Sequence, residues 1–307
     1  MLPVISDLSI NCEGTYNWVN TQMTAGVDER GQVKIGLALS GGGARGLAHI
    51  GVLKVLEREG IPVDYLAGTS MGGVVAAGYA AGLDAAYLEQ EALRMGNWRN
   101  LLPLVDRSLP GLGLVKGERV RDYLTSHVGE MTFDQLRIPL ALVAVDLLSG
   151  EEVVLQSGMV TDAVRATISL PGVFAPFPLD GRLLVDGGAL NNLPADVVRE
   201  MGADVVIAVD VSADAELPPY DAPEGNGRLA LPSVLHMVTP LRRVVSIMSR
   251  QMTHYRLAQA QPEVVLCPRL DLDITLLGGF PRAREIVAAG EAAAEEALPR
   301  LRQMVAG

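Results

Sequence analysis

The sequence predicts an α/β protein, built as a three-layer α/β/α domain with a mostly parallel central sheet. Short runs of valine, isoleucine and leucine alternate with segments of helical periodicity from about residue 33 onward. The strand runs are almost continuously apolar, which is typical of a parallel sheet covered by helices on both faces. With 307 residues, 49% of them hydrophobic, the chain can bury a large core.

Each element is predicted from its apolar pattern and from the glycines that end the first two helices, Gly60 and Gly82. Residues 1–31 lack such a pattern and are predicted to be an N-terminal extension. Residues 32–307 are predicted to form one domain, with core motifs in 33–210 and a C-terminal helical part in 232–307. The strands are predicted at 33–39, 61–69, 138–146, 152–155, 182–186, 203–210 and 262–266, and the helices at 44–60, 70–82, 162–169, 193–202, 232–260 and 284–301.

The net charge of −11 argues against nucleic acid as a partner, because phosphate binding requires a basic surface. It also weakens attraction of the whole molecule to anionic membranes, which leaves local basic patches or apolar contact. The N-terminal residues lack the basic and long apolar segments of a signal peptide. No uninterrupted apolar stretch reaches about 18 residues, so we expect a cytoplasmic protein without a transmembrane helix.

A glycine-rich loop, SGGGARG, follows the first predicted strand and precedes the first helix. Its glycines Gly41, Gly43 and Gly46 satisfy the G-x-G-x-x-G pattern of dinucleotide-binding proteins. Asp64 stands near the spacing expected for a ribose-binding acid, but it lies at the start of its strand instead of the end. The end of that strand is occupied by a serine turn, so we reject the dinucleotide interpretation.

The serine turn has the sequence Gly68-Thr69-Ser70-Met71-Gly72, which fits G-x-S-x-G between a strand and a helix. Glycines are required because a sharp strand-to-helix turn leaves no room for side chains around the nucleophile. The N-terminus of the following helix directs its positive dipole end at the site, which favours developing negative charge. This context predicts that Ser70 is a nucleophile.

A serine nucleophile needs a base, and the usual base is histidine. His49 and His127 lie within or near the end of predicted helices, and His236 and His254 lie in the long late helix. None follows a strand, where a doubly wound sheet places its catalytic groups. We therefore expect packing or surface roles for all four histidines.

An aspartate is the alternative base, and three predicted strands end in one: Asp146, Asp186 and Asp210. Only Asp186 is followed by two glycines, Gly187 and Gly188, which allow another group to approach closely. Its ordinary pKa of about 4 makes a carboxylate a weak base at neutral pH, so burial would have to raise it. For the other two aspartates we expect roles as helix caps or turn acceptors.

The motifs SGGGARG, GTSMG and DGG, in this order and spacing, resemble those of the patatin-like phospholipase family, in its compact bacterial form. The segment RATISLPGVFAPF, at 165–177, is similar to the family segment that precedes the aspartate motif. The resemblance covers about residues 33–210. Ser40 departs from the pattern, since many members have aspartate there, and we expect little chemical consequence.

The resemblance implies a Ser–Asp dyad and an oxyanion hole, with no metal and no cofactor. Successive glycine N–H groups can form such an anion-binding concavity, although the same geometry would serve a pyrophosphate. A basic residue in the glycine loop steadies either the loop or the anion, or forms a structural salt bridge. The implied site consists of Ser70 and Asp186 as catalytic residues, Gly41, Gly42 and Gly43 as the oxyanion hole, Arg45 and Gly46 as loop support, and Gly68, Gly72, Gly187 and Gly188 as turn glycines.

The implied reaction is hydrolysis of the fatty-acyl esters of phospholipids or lysophospholipids through an acyl-enzyme. Two alternatives remain: an acyltransferase, which would use a histidine partner, and a weakly catalytic regulator that senses lipid. The segment 239–259 combines arginines with apolar residues at helical spacing, so it could line the acyl route or rest on the inner membrane surface. A core or subunit-interface helix is the commoner explanation of such a pattern, and a homodimer would use such a surface.

Overall fold

The computed structural model describes residues 33–106, 115–213, 233–271 and 278–305, with only the helical backbone for 233–242. Within these ranges the chain forms eight strands and nine α-helices. The strands are β1 (Ile35–Leu39), β2 (Tyr65–Thr69), β3 (Leu140–Asp146), β4 (Glu152–Leu155), β5 (Phe177–Leu179), β6 (Arg182–Asp186), β7 (Val205–Val209) and β8 (Val264–Leu266). The helices are α1 (Ala48–Arg58), α2 (Met71–Ala80), α3 (Ala85–Met95), α4 (Trp98–Leu101), α5 (Glu118–Val128), α6 (Val160–Thr167), α7 (Ala195–Glu200), α8 (Ser233–Ala260) and α9 (Ala283–Val305).

The strands form one mixed sheet in the order β5-β6-β3-β2-β1-β7-β8, with β4 also paired to β3. Neighbouring strands are parallel from β3 through β2, β1 and β7 to β8. The pairs β3–β4, β3–β6 and β5–β6 are antiparallel. The parallel part is the α/β core, and the antiparallel strands extend it at one end.

The two faces of the sheet carry side chains of different size, and this difference sets the thickness of each layer. In β1, Ile35, Leu37 and Leu39 point to one face, where they pack with α1, α2 and α9. Ala38 points to the other face and packs with α7 and α8. A β-carbon at Gly36 would overlap the side chain of Val198 in α7, so the thin face permits close helix packing.

Strands β2 and β6 meet end to end on the same side of β3. Thr69, the last residue of β2, is paired with Val143, and Asp186, the last residue of β6, is paired with the next residue, Ala144. Because β4 is paired with these same two β3 residues, it occupies the other side. A strand has only two lateral neighbours, so the ends of β2 and β6 must adjoin.

The three-layer α/β/α fold with a mostly parallel sheet is therefore confirmed, as are the long helix at 232–260 and the glycine ends of α1 and α2. Gly60 and Gly82 both adopt positive φ, at 65° and 98°. The sequence patterns missed α3, α4 and β5, and they gave no bounds for the helix that ends near His127, which is α5. They also did not predict the antiparallel direction of β4 and β6. The predicted extension, residues 1–31, lies outside the described residues.

Helices α1 and α9 approach each other through two glycines. A β-carbon at Gly290 would overlap the Ala48 carbonyl, and one at Gly51 would overlap the Val287 carbonyl. We expect Gly290→Ala to destabilise the protein by about 2 kcal/mol or more, because the two helix backbones would have to separate. Urea unfolding measures this free energy.

Helix propensity alone predicts the opposite sign, a gain of about 0.5–1 kcal/mol for alanine over glycine. The matched control is Ala288→Ser, at an exposed position of the same helix, which should change the free energy of unfolding by under about 0.5 kcal/mol. An increase in stability for Gly290→Ala would contradict the close approach of α1 and α9.

Candidate active site

Ser70 occupies a sharp turn between β2 and α2. Its backbone has φ 53° and ψ −123°, a conformation that L-residues rarely adopt, and its carbonyl accepts the Val74 N–H of the first helical turn. A β-carbon at Gly68 would lie 2.7 Å from the Gly72 carbonyl carbon, and one at Gly72 would overlap the Leu39 carbonyl. The turn therefore requires both glycines and exposes the Ser70 hydroxyl in front of the α2 N-terminus.

Hydrogen bonds from two other segments hold this turn in place. The Ser70 N–H donates to Thr167 Oγ1 at 2.9 Å, and Thr167 Oγ1 donates to the Val143 carbonyl at 2.5 Å. On the other side, Thr69 Oγ1 donates to the Asn191 carbonyl at 2.8 Å. Satisfied buried polar groups of this kind stabilise the unusual backbone of Ser70.

Asp186 lies beside Ser70 as a consequence of the β2–β6 junction. The Ser70 side chain lies beside the Asp186 carboxylate and favours its ionised form, and the Gly188 N–H donates to Asp186 Oδ1 at 2.8 Å. The residue is only 6% exposed. This burial raises the pKa of Asp186 to about 6, although the Ser70 side chain and the Gly188 N–H act in the opposite direction. At neutral pH the carboxylate is thus ionised and a stronger base than an ordinary aspartate.

Gly187 allows the junction to form, because a β-carbon there would overlap the Val143 carbonyl. The interpretation of the double glycine as a place of close approach therefore fits the geometry. Gly188 brings its carbonyl to the late helix, where it accepts the Ser249 hydroxyl at 2.9 Å. The turn after β6 is thus bound on one side by β3 and on the other by α8.

The glycine loop runs from the end of β1 along Ser70. A β-carbon at Gly41 would lie 3.2 Å from the Ser70 β-carbon, and Gly43 adopts a φ of 56°. The Gly41 N–H, however, donates to the Asn192 carbonyl at 3.0 Å. The N–H groups of Gly42 and Gly43, in contrast, have no backbone acceptor among the described residues.

His49 contacts the glycine loop and is fully buried. Its ring nitrogen Nε2 lies 2.8 Å from the Ser40 carbonyl, so Nε2–H donates to that oxygen. Burial lowers the pKa of His49 to about 4, which keeps the ring neutral at physiological pH. The predicted packing role of His49 is confirmed. His127 is hydrogen-bonded to Tyr87, and the side chain of His236 lies outside the described residues.

The remaining candidate acids have structural roles. Asp146 Oδ1 accepts the Leu148 N–H at 3.1 Å, and Asp210 Oδ1 accepts the Ser212 N–H at 2.9 Å, so both are turn acceptors, as predicted. Asp64 accepts the Ile35 N–H at 2.9 Å, at the edge of the sheet where β1 begins. Asp64 therefore lies at the beginning of β1, whereas the glycine loop follows the end of that strand. It cannot reach a ligand held by the loop.

Three residues of the glycine loop contact neighbouring segments. The buried Arg45 donates to the Asp271 carbonyl at 3.4 Å, which favours the loop-supporting role among those considered for it. Gly46 packs on Met71, whose β-carbon would lie 2.7 Å from a β-carbon at position 46. At the departure from the family pattern, Ser40 Oγ accepts the Val211 N–H at 3.0 Å and links the loop to the segment after β7.

Sequence reasoning missed three residues that organise the site: Thr167, Asn191 and Asn192. Thr167 lies within the segment noted at 165–177 but carried no chemical signal. The asparagine pair begins three residues after the DGG motif, and this nearness is the one signal available in the sequence. Asn191 Nδ2 donates to both Glu152 and Asp196 at 2.9 Å, which fixes the carbonyl that holds Thr69.

The architecture and the serine turn together define an α/β/α protein with a strand–serine–helix elbow. A family model described as patatin-like phospholipase matches residues 37–199. The chain therefore belongs to the patatin-like phospholipase family, as its motifs predicted.

Comparison with known proteins agrees with this membership. An uncharacterized NTE family protein of Mycobacterium tuberculosis is 42% identical over 190 residues, covering 62% of this chain and 52% of the relative. The human patatin-like phospholipase domain-containing protein 6 is 39% identical over 186 residues, covering 59% of this chain and 14% of that protein. The chain thus spans about half the length of the mycobacterial relative.

Among solved structures, VipD from Legionella pneumophila has a TM-score of 0.56 and 15% sequence identity. The match covers 90% of this chain and 69% of VipD. At this level of identity the likeness shows that the two proteins share a fold.

Thr167 offers a test of what stabilises the turn at Ser70. Thr167→Val keeps the side-chain volume but leaves the Ser70 N–H and the Val143 carbonyl without their partner. We expect a loss of about 1–3 kcal/mol in the free energy of unfolding, measured by urea titration. Thr167→Ser, which retains the hydroxyl, should restore most of it, and equal stability of the valine and serine variants would contradict the bridging role.

Proposed function

We propose that the protein is a serine acyl hydrolase with a Ser70–Asp186 dyad. The observation that supports this most directly is the position of the Ser70 side chain beside the buried Asp186 carboxylate, at a strained turn in front of a helix N-terminus. A serine hydroxyl becomes an effective nucleophile when an adjacent base accepts its proton. Burial supplies that basicity, because it raises the pKa of Asp186 to about 6.

In the proposed reaction Ser70 Oγ attacks the acyl carbonyl carbon while its proton passes to Asp186. Asp186 then returns this proton to the departing alcohol, which leaves an acyl-enzyme. Water attacks the acyl-enzyme with Asp186 again as the base, and the fatty acid departs as Ser70 regains its proton. In each turnover the Asp186 carboxylate thus accepts a proton twice and returns it twice, without a histidine.

The oxyanion of the tetrahedral intermediate is assigned to the N–H groups of Gly42 and Gly43. Each such donor contributes about 3 kcal/mol of transition-state stabilisation in other enzymes. The positive end of the α2 dipole adds to this field because Met71 begins the helix directly after Ser70. Asn192 positions the loop through its backbone bond to Gly41.

The substrate class we propose is the fatty-acyl ester of a phospholipid or lysophospholipid. Membership of the patatin-like phospholipase family supports this class. No helix in the described part of the chain is long and apolar enough to cross a membrane. The cytoplasmic location and the homodimer stay predictions.

An acyltransferase with a histidine partner is the second candidate, and the geometry disfavours it. His49 uses Nε2 on the Ser40 carbonyl, and His127 is bonded to Tyr87. The third candidate, a lipid-sensing regulator, requires no dyad, whereas Ser70 and Asp186 are both present and lie side by side. We therefore favour hydrolysis over both.

Substitution of the dyad tests the proposal with a fluorophosphonate probe and a short-chain nitrophenyl ester. We expect Ser70→Ala to lose labelling, and Asp186→Asn to lose about 1000-fold or more in turnover, since the serine would lack its base. Gel fluorescence and absorbance measure the two effects. Thermal melts of each variant verify folding.

The matched control is His49→Gln, which keeps an N–H donor near the Ser40 carbonyl and removes the imidazole. This variant should retain labelling and turnover within about 10-fold, the loss that a perturbed packing contact explains. Full activity of Ser70→Ala, or loss of labelling in a folded His49→Gln protein to the level of Ser70→Ala, would contradict the Ser–Asp assignment.

The pH dependence of turnover tests the role of the carboxyl group. Because the base must be ionised, we expect kcat/KM for the soluble ester to rise with pH, with a midpoint near 6, the raised pKa of Asp186. Below the midpoint it should fall about tenfold per pH unit. The same midpoint should persist in His49→Gln and His254→Gln, and its disappearance in either variant would assign it to that histidine.

A further inference from the structure

The side chain of Asn192 lies between the glycine loop and the turn after β6. A β-carbon at Gly41 would lie 2.5 Å from Asn192 Oδ1, and one at Gly188 would lie 3.0 Å from the same oxygen. Ser70 adjoins this contact, because a β-carbon at Gly41 would also lie 3.2 Å from the Ser70 β-carbon. The amide of Asn192 is therefore placed where the segments that carry the proposed oxyanion donors and the proposed base come together.

Asn192 holds Gly41 at both of its backbone polar groups. The Gly41 N–H donates to the Asn192 carbonyl at 3.0 Å, and Asn192 Nδ2 donates to the Gly41 carbonyl at 3.3 Å. The first bond uses only the main chain of Asn192, so it does not depend on which side chain stands there. The second bond requires a side-chain donor, and the asparagine amide supplies it.

A second contact of Nδ2 fixes the orientation of this amide. Asn192 Nδ2 also donates to Ser212 Oγ at 3.3 Å. The Ser212 N–H and hydroxyl both donate to Asp210 Oδ1, at 2.9 and 2.7 Å, so the hydroxyl proton is committed to that carboxylate. Ser212 Oγ is therefore an acceptor toward Asn192. Both acceptors lie on the Nδ2 side, which leaves Oδ1 facing Gly41 and Gly188.

The bond to the Gly41 carbonyl also sets the direction of the next N–H group. In a trans peptide the C=O and the following N–H lie in one plane and point in opposite directions. The Gly41 carbonyl accepts from Asn192, so the Gly42 N–H points away from that side chain. Val211 limits rotation of this peptide, since a β-carbon at Gly42 would lie 2.5 Å from Val211 Cγ2.

We propose that Asn192 is a positioning residue for the oxyanion hole. Its Nδ2 donor holds the Gly41–Gly42 peptide so that the Gly42 N–H faces the oxyanion formed at Ser70. The inference rests on the proposed function, since it requires an oxyanion beside Ser70. A donor that is oriented in advance stabilises the developing charge without reorganisation, and this advantage is lost when its peptide can rotate. In this role Asn192 acts through Gly42 and does not itself bind the oxyanion.

Asn192→Ala tests this inference, because it removes the Nδ2 donor and leaves the backbone bond to the Gly41 N–H. With a soluble nitrophenyl ester we expect kcat/KM to fall about 10- to 100-fold, a part of what complete loss of an oxyanion donor costs. The matched control is Asn100→Ala, since Asn100 Nδ2 also donates to a backbone carbonyl, that of Arg94, outside the proposed site. The control should stay within about threefold of the wild type.

Two inhibitors separate this role from a general loss of structure. An alkylboronic acid forms a tetrahedral anion on a nucleophilic serine, whereas an alkyl nitrophenyl ether resembles the substrate but has no carbonyl group. In Asn192→Ala the inhibition constant of the boronic acid should rise by about the factor by which kcat/KM falls, and that of the ether should change by less than about threefold. Equal weakening of both inhibitors would assign a purely structural role to Asn192 and overturn the inference.

Ser212→Ala provides a second variant, because it removes the acceptor that orients the amide. It should lower kcat/KM in the wild-type background and have no further effect in Asn192→Ala. Thermal melts verify folding. If Asn192→Ala does not fold, the two inhibitors are applied to Ser212→Ala, where a selective loss of boronic acid affinity supports the inference and an equal loss, or none, overturns it.

The outcome for the dyad is separate. If the wild type hydrolyses the ester and Ser70→Ala does not, unchanged kcat/KM and boronic acid affinity in Asn192→Ala would overturn the positioning role alone. Hydrolysis that remains in Ser70→Ala would instead contradict the proposed function.

Discussion

The structure depends above all on the junction at which β2 and β6 meet end to end beside β3. Strand β2 is parallel to β3 and ends at Thr69, whereas β6 is antiparallel and ends at Asp186, opposite consecutive residues of β3. Two strands that arrive from opposite directions therefore present their last residues to each other. The turn glycines follow from this constraint, because Gly187 must pass against the Val143 carbonyl and Gly72 against the end of β1. The chemical result is that the Ser70 side chain lies beside the Asp186 carboxylate.

The same junction explains why a carboxylate can serve as the base. The carboxyl group at the end of β6 is buried where the two strands meet, and this burial raises the pKa of Asp186 from 3.8 to about 6. The folded protein then binds this proton more tightly than the unfolded chain. Stability therefore falls as pH rises from about 4 to about 6, and the loss, at most about 3 kcal/mol, persists at neutral pH. In our account the fold tolerates this cost because the ionised carboxylate is what activates the serine.

Much of the site could be predicted from the sequence because its motifs are local. A strand, a glycine-rich turn and a helix are contiguous in the chain, so the positions of Ser70 and the glycine loop followed from short patterns. What the sequence did not reveal depends on pairing between distant segments. The antiparallel direction of β6, the bridge through Thr167 and the use of the Gly41 N–H by Asn192 all require knowledge of which strand ends adjoin. The apolar residues of α8 were visible as a helical pattern, but only the exposure of residues such as Met248, at 66%, distinguished a surface from a core helix.

The central claim is that Ser70 is the nucleophile and that Asp186 accepts its proton. The N–H groups of Gly42 and Gly43 bind the oxyanion of the tetrahedral intermediate. The most direct measurement is a crystal structure of the protein after reaction with a fluorophosphonate. We expect phosphorus bonded to Ser70 Oγ and one phosphoryl oxygen within hydrogen-bond distance of the N–H groups of Gly42 and Gly43. We also expect the Gly41 N–H to remain hydrogen-bonded to the Asn192 carbonyl. An adduct whose phosphoryl oxygen points away from the glycine loop, or one in which a histidine contacts Ser70, would contradict it.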